Sequence, residues 1–135
     1  MDVIPFPSWR VFYIVDARGN NVIRRWMDEQ SASPADRVAF QALIDICEYS
    51  GPDALLANTK DLGNGFYALW SKRKGGINPS PVFCRGPFSE SEITFLAGAR
   101  MEGKKLTPRY ARGIAEENLE VLLSQPKRRT RESIA

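Results

Sequence analysis

The segment GKKLTPRYARG, residues 103–113, places several cations around a Thr-Pro pair. Thr107-Pro108 predicts a helix start, because a Thr oxygen can cap exposed main-chain amides and the fixed φ of proline suits the first helical position. A helix N-terminus already carries about half a positive charge, so acidic side chains are preferred there. Cations at this end therefore predict that an anion from outside the chain binds here. The cations are Lys104, Lys105, Arg109 and Arg112.

The absence of histidine limits the chemistry that the chain can perform. It excludes the commonest general acid–base side chain, a common zinc ligand and every Ser-His or Cys-His nucleophile pair. Cys47 and Cys84 lie in apolar segments without metal-ligand spacing, so we interpret them as reduced core thiols of a cytoplasmic protein. Any catalysis must therefore use Lys, Arg, Tyr, Asp or Glu, and we expect no cofactor.

Charge is distributed unevenly along the 135 residues. Residues 1–59 carry five basic and eight acidic side chains, whereas residues 60–135 carry fourteen basic and eight acidic ones. A basic half favours a polyanionic partner, although a solvated basic surface would give the same pattern. No apolar stretch approaches the roughly 18 residues of a membrane span, and MDVIPFPSW does not have the pattern of a secretion signal. We therefore expect a single cytoplasmic domain with no membrane association.

Hydrophobic periodicity predicts the elements that position these residues. Strands are expected at about 9–15, 65–73, 81–85 and 92–100, and helices at about 21–30, from Pro34 after a Ser33 cap to Gly51, and at 108–123. The second helix is expected to bury Val38, Ala39, Ala42, Leu43 and Ile46, and the third Ala111, Ile114, Ala115, Leu119 and Leu122.

This order of elements predicts the fold class and the domain boundaries. It indicates one α+β domain at 1–123, with an antiparallel or at most mixed sheet, two N-terminal helices and a C-terminal helix packed on it. Residues 124–135 have little to bury and are predicted to form a flexible basic tail.

Two motifs, in this order, resemble the RelE/ParE toxin superfamily and are most similar to its HigB-like, phage-derived branch. The first motif is LGNGFYALW at 62–70, and the second is FLAGARMEGKKLTPRYARGIAEENL at 95–119. The resemblance covers about 9–123. The chain departs from the family at Trp70 and Pro81, where arginine is common, and at Ala99, where an aromatic residue is usual. The matching positions are Leu62, Gly65, Phe66, Tyr67, Leu69, Gly98, Lys104, Lys105, Thr107, Pro108, Ala111 and Ala115.

The resemblance implies the toxin of a toxin–antitoxin system, acting as a ribosome-dependent mRNA endonuclease that needs no metal. It implies mRNA, the ribosome and a helix-turn-helix antitoxin as partners, and it leaves a homodimer open. Two other functions also stay open, a non-catalytic inhibitor of the gyrase-directed type and a degenerate phage-derived regulatory module. The candidate catalytic residues are Lys104, Lys105, Tyr110 and Arg85, and the candidate RNA-binding residues are Lys72, Arg73, Lys74, Arg100, Arg109 and Arg112.

Overall fold

The computed structural model of the protein describes residues 8–70 and 76–134. Within these residues lie eight strands, three α-helices and one 3-10 helix. The strands are β1 (Arg10–Ile14), β2 (Thr59–Gly63), β3 (Phe66–Leu69), β4 (Val82–Arg85), β5 (Glu92–Ala97), β6 (Arg100–Glu102), β7 (Lys105–Thr107) and β8 (Arg129–Thr130). The helices are α1 (Val22–Glu29), α2 (Pro34–Ser50), the 3-10 helix Pro52–Asn58 and α3 (Ala111–Ser124).

Six of the strands form one mixed sheet in the order β2-β3-β4-β5-β1-β8. β1 runs parallel to β5, and the other neighbouring pairs are antiparallel. The parallel pair is possible because the long connection between the two strands contains α1 and α2, and parallel strands need a crossover of this kind. A single α+β domain is therefore confirmed, and its sheet is the mixed type that the prediction allowed.

Helices cover both faces of the sheet. α1 and α2 contribute Ile23, Met27, Phe40 and Ile44 to one hydrophobic core, and α3 contributes Ala111, Ala115 and Leu122 to the other. All six side chains of β5 are buried, as a central strand between two cores requires. No helix in the described part of the chain has the length and apolar character needed to cross a lipid bilayer.

The predicted start of α2 is confirmed. Ser33 Oγ accepts a hydrogen bond from the Asp36 amide at 3.1 Å, and the Asp36 carboxylate accepts one from the Ser33 amide at 2.9 Å. This reciprocal pair stabilises the first turn.

The predicted inner face of α2 is wrong. The helix buries Phe40, Ile44 and Cys47, whereas Val38 is 70% exposed and Ile46 is also exposed. The helix carries two apolar stripes, and the stripe with the large Phe40 side chain removes more apolar surface from water when it faces the sheet.

The predicted start of α3 is also wrong. Thr107 is the last residue of β7, and α3 begins at Ala111 without any side-chain cap. The backbone of Thr107 is extended because it pairs with Arg100 in the β6–β7 hairpin, so it does not open the helix. The inner face of α3 is as predicted, with Ala111, Ala115 and Leu122 buried and Ile114 and Leu119 packed beside them.

The segment predicted to be a flexible tail packs against the domain instead. Val15 and Arg128 exchange two hydrogen bonds of 2.9 Å, one between their main chains and one from the Arg128 Nε. Thr130 pairs with Tyr13 at the edge of β1, and Ile134 is only 1% exposed. The prediction failed because the contribution of this segment depends on a few long-range contacts, which composition does not reveal.

Arg129 also connects this segment to the sheet through its side chain. Its guanidinium forms an ion pair with Glu92, which is 1% exposed, and lies 3.6 Å from the ring centroid of Phe12. The Phe88 ring lies on it at 4.8 Å. A buried carboxylate needs such a partner, so β8 and β5 are joined through this pair.

Candidate nucleic-acid interface

The β6–β7 hairpin carries the two lysines that the sequence singled out. Glu102 pairs with Lys105 across the hairpin, and Lys104 lies in the turn beside Gly103, whose φ is +61°. Both lysine side chains are exposed, while Leu106 is buried in the core beneath α3. Leu106 therefore anchors the hairpin, and the lysines are presented to solvent.

Lys60 joins this hairpin to the sheet. Its Nζ donates a hydrogen bond of 2.9 Å to the main-chain carbonyl of Lys104. Lys60 pairs with Ala68 in β3, and Ala68 belongs to the core that α3 covers, so the lysine lies on the α3 side of the sheet. Sequence interpretation missed Lys60 because TKDLG has no apolar alternation, and no strand was predicted there.

Arg112 fixes the first turn of α3 against the same strand. Its Nη1 donates a hydrogen bond of 2.8 Å to the Leu62 carbonyl, and its Nε lies 3.5 Å from the Glu116 carboxylate. The sequence predicted an RNA-binding role for Arg112. The structure gives this side chain a positioning role, because it is already engaged with the protein.

The cations of β2, the hairpin and the start of α3 form one surface, which we call the basic corner. Within the residues that the structure describes, Arg112 is the only one of these cations that forms an ion pair. An exposed group of cations, of which all but Arg112 lack an ion-pair partner among the described residues, produces a positive potential that attracts polyanions. The basic corner consists of Lys60, Lys104, Lys105, Arg109 and Arg112.

Two other predicted residues adjoin the basic corner. Tyr110 follows Arg109 directly and is 69% exposed, so its ring is available for stacking. Arg100 lies in β6 and forms an ion pair of 2.6 Å with Glu102, which partly neutralises its charge. Of the two, Tyr110 is better placed to contact a ligand.

Arg85 does not lie with the other candidate catalytic residues. It pairs with Ile93 at one end of the β4–β5 ladder, whereas Val82 pairs with Ala97 at the end that leads to the hairpin. The two ends are about 10 Å apart at the usual rise of a strand. Arg85 instead forms an ion pair with Asp53. The predicted set of Lys104, Lys105, Tyr110 and Arg85 is therefore not one site.

Lys72, Arg73 and Lys74 lie outside the described residues.

Among residues 8–70 and 76–134, no three Cys, Asp or Glu side chains are arranged to hold a metal ion. The arrangement that the structure presents is a cationic surface with one exposed aromatic ring, and these are the groups with which proteins contact phosphates and unpaired bases.

Both cysteines are buried free thiols, as predicted. Burial raises the pKa of Cys47 to about 12 and that of Cys84 to about 11. Only the thiolate is a nucleophile, so neither sulfur is suited to catalysis at neutral pH.

Comparison of the chain with models of protein families, with curated proteins and with solved structures finds no match.

Proposed function

We propose that this protein binds RNA through the basic corner and acts as a toxin that cleaves mRNA on the ribosome. One observation carries the binding part of the proposal. Cations from three elements, β2, the β6–β7 hairpin and the start of α3, meet on one exposed surface, and Lys60 ties the hairpin in place by its hydrogen bond to Lys104. Phosphates of a nucleic-acid strand are anions that such a surface recognises, and RNA is the strand that the proposed activity requires.

The arrangement of elements supports the toxin part of the proposal. A strand, two helices, a run of antiparallel strands and a further helix follow one another in the order that the RelE/ParE resemblance implies. The two family-like motifs fall on neighbouring elements, the first on the β2–β3 hairpin and the second from β5 to α3. Lys60 and Arg112 donate hydrogen bonds that connect β2 to the hairpin and to α3.

The proposed reaction is transfer of the phosphate within the RNA strand. The ribose 2′-oxygen bonds to the adjacent phosphorus, and the bond from phosphorus to the 5′-oxygen breaks. Lys104 or Lys105, in its neutral amine form, accepts the 2′-hydroxyl proton, and the Tyr110 hydroxyl gives its proton to the departing 5′-oxygen. Arg109 stabilises the charge that develops on the phosphorus oxygens.

A second candidate function is binding without cleavage. It is favoured by the position of Arg85, which lies away from the basic corner and is paired with Asp53. On this alternative the chain inhibits its target, such as gyrase, by occupying it, or serves as a regulatory module that retains only the fold.

The proposed function also implies partners. A helix-turn-helix antitoxin with an acidic segment would cover the basic corner and prevent RNA from reaching it. The protein would act in the cytoplasm, where mRNA and ribosomes are found, and a homodimer is compatible with this function.

Induced expression with pulse labelling tests the choice between these functions. We expect protein synthesis to stop while DNA supercoiling stays normal. In a purified translation system, mRNA should be cleaved only when ribosomes are present, and Lys104→Ala/Lys105→Ala should slow cleavage about a hundredfold or more. Continued protein synthesis with failing supercoiling would favour the gyrase-directed alternative. No change in either process would favour the regulatory module.

A further inference from the structure

A cleft of about 180 Å³ lies between α1, the end of β5 and the start of α3. Its wall is mostly apolar, with two charged side chains from α1. A volume this small lies below the usual range for a drug-sized ligand and suits one ring system. The cleft is lined by Val22, Arg25, Trp26, Glu29, Ala97, Gly98, Pro108 and Ile114.

Trp26 provides an aromatic surface in this cleft. Its indole packs directly on the backbone of Gly98, where a Cβ atom would lie 2.1 Å from the Trp26 Cγ. The indole is half-buried, and its N–H makes no hydrogen bond to any part of the chain that the structure describes. A tryptophan N–H in a partly apolar setting usually has a partner, so this donor is available to a ligand.

The polar rim of the cleft is held in place. Arg25 forms ion pairs with Asp16 and, at 3.7 Å, with Glu29, both through its guanidinium. The rim therefore presents fixed donors and acceptors beside an aromatic face, and the edge of a nucleobase carries both kinds of group.

Consecutive residues of the chain connect the cleft to the basic corner. Pro108 lines the cleft, and the next residue, Arg109, is one of the unpaired cations. Ile114 lines it from α3, two residues after Arg112. A phosphate on Arg109 would thus leave the attached base next to the cleft.

We propose that the cleft binds one unstacked nucleobase of single-stranded RNA while the basic corner holds the neighbouring phosphates. This inference rests on the proposed RNA binding and adds the form of the RNA and the position of one base. A paired base stays stacked inside a duplex and cannot reach the Trp26 ring, whereas a base of a single strand can leave the stack at little cost. The protein should therefore prefer single-stranded RNA to a duplex.

The indole N–H resonance of Trp26, assigned by its loss in Trp26→Phe, provides a direct test in the wild-type chain. Adenosine monophosphate and adenosine should each shift this resonance in a saturable way, and ribose 5-phosphate should not. The cleft does not bind a base if neither adenosine compound moves the resonance. A shift of equal size with ribose 5-phosphate would also overturn the proposal, because the phosphate alone would then be recognised.

Affinity for a single-stranded RNA oligonucleotide provides a second test. Trp26→Leu removes the aromatic face, whereas Ile114→Phe keeps the Trp26 ring but fills the cleft. Each variant should therefore bind the RNA roughly tenfold more weakly. The matched control is Tyr49→Leu, which removes a half-exposed ring from α2, on the other side of the sheet from α3, and should leave the affinity unchanged. Wild-type affinity in Ile114→Phe, with its fold intact by circular dichroism, would contradict the proposal.

The two proposals can fail separately. If RNA binds and Lys104→Ala/Lys105→Ala weakens it, but neither the resonance of Trp26 nor the cleft variants respond, the base site is wrong and the basic corner stands. If the wild-type chain binds no RNA, the proposed function itself is wrong.

Discussion

Lys60 Nζ donates a hydrogen bond of 2.9 Å to the carbonyl oxygen of Lys104, across 44 residues of sequence. This contact joins the edge strand β2 to the turn of the β6–β7 hairpin. It also brings the charge of Lys60 next to those of Lys104 and Lys105. A single side chain thus both positions the hairpin and adds to the positive potential of the basic corner.

Lys60→Met should loosen the hairpin while keeping the aliphatic part of the side chain. One hydrogen bond contributes about 1 kcal/mol, so amide hydrogen exchange at Lys105 and Leu106 should accelerate by up to about fivefold. RNA affinity should fall as well, because one cation is lost. The control is Lys127→Met, which removes an exposed lysine elsewhere and should change neither quantity. Unchanged exchange in Lys60→Met would show that the contact does not hold the hairpin.

Arg129→Met should destabilise the fold by about 3–5 kcal/mol, because it leaves the buried Glu92 carboxylate without its partner. Chemical denaturation in urea measures this loss directly. Arg24→Met is the matched control. Its ion pair with Glu132 and its hydrogen bond to the Ser133 carbonyl are both exposed, so their loss should cost about 1 kcal/mol or less. Equal effects of the two variants would mean that β8 contributes little to the domain.

Stability should decrease as the pH rises above 9. An unfolded thiol loses its proton near its ordinary pKa of 9.0, whereas burial raises the pKa of the folded Cys84 to about 11 and that of Cys47 to about 12. Between these values each thiol ionises only in the unfolded state, so the free energy of unfolding falls by up to about 1.4 kcal/mol per pH unit for each thiol. Below pH 9 both states keep the proton, and this contribution to stability is fully present.

Urea unfolding across this pH range tests the linkage. Cys47→Ala/Cys84→Ala should be less stable at neutral pH but should lose less stability above pH 9. Some dependence should remain, because burial also raises the pKa of Tyr13. If the stability of the double variant falls with pH as steeply as that of the wild-type chain, the thiols are not the source of this pH dependence.

Gly98→Ala should destabilise the fold by about 1–3 kcal/mol, because the new methyl group overlaps the Trp26 ring and forces it to move. Gly113→Ala is the opposite control. A Cβ atom on Gly113 meets no atom within 4 Å, and alanine favours the helix, so a gain of up to about 1 kcal/mol is expected. Thermal unfolding of both variants would reveal the contrast, and a neutral Gly98→Ala would mean that Trp26 does not rest on Gly98.

The sequence predicted which segments form helices and strands better than it predicted their faces and ends. α2 was placed correctly because Ser33 and Pro34 are strong local signals. Its inner face was not, because Val38 and Phe40 lie on two competing apolar stripes. Burial against the sheet decides between such stripes, and this contact is not visible in the local sequence.

Long-range pairing explains the other differences. Thr107-Pro108 has the residue types of a helix start, but β7 uses Thr107 in a ladder with β6. The C-terminal segment looked unable to pack, yet Ile134 is buried in the core. Lys104 and Lys105 could be identified from the local sequence. Lys60 could not, because only the fold brings it next to them.

The dependence of RNA affinity on salt tests the central claim most directly. Each phosphate contact with a single strand contributes about 0.7 to the slope of log affinity against log salt concentration. Lys104→Ser/Lys105→Ser/Arg109→Ser should therefore make this negative slope shallower by about two units. The control, Arg10→Ser/Arg18→Ser/Lys127→Ser, removes the same charge from exposed sites outside the basic corner and should leave the slope nearly unchanged. Equal slopes for the two variants, or no binding by the wild-type chain, would contradict RNA binding at the basic corner.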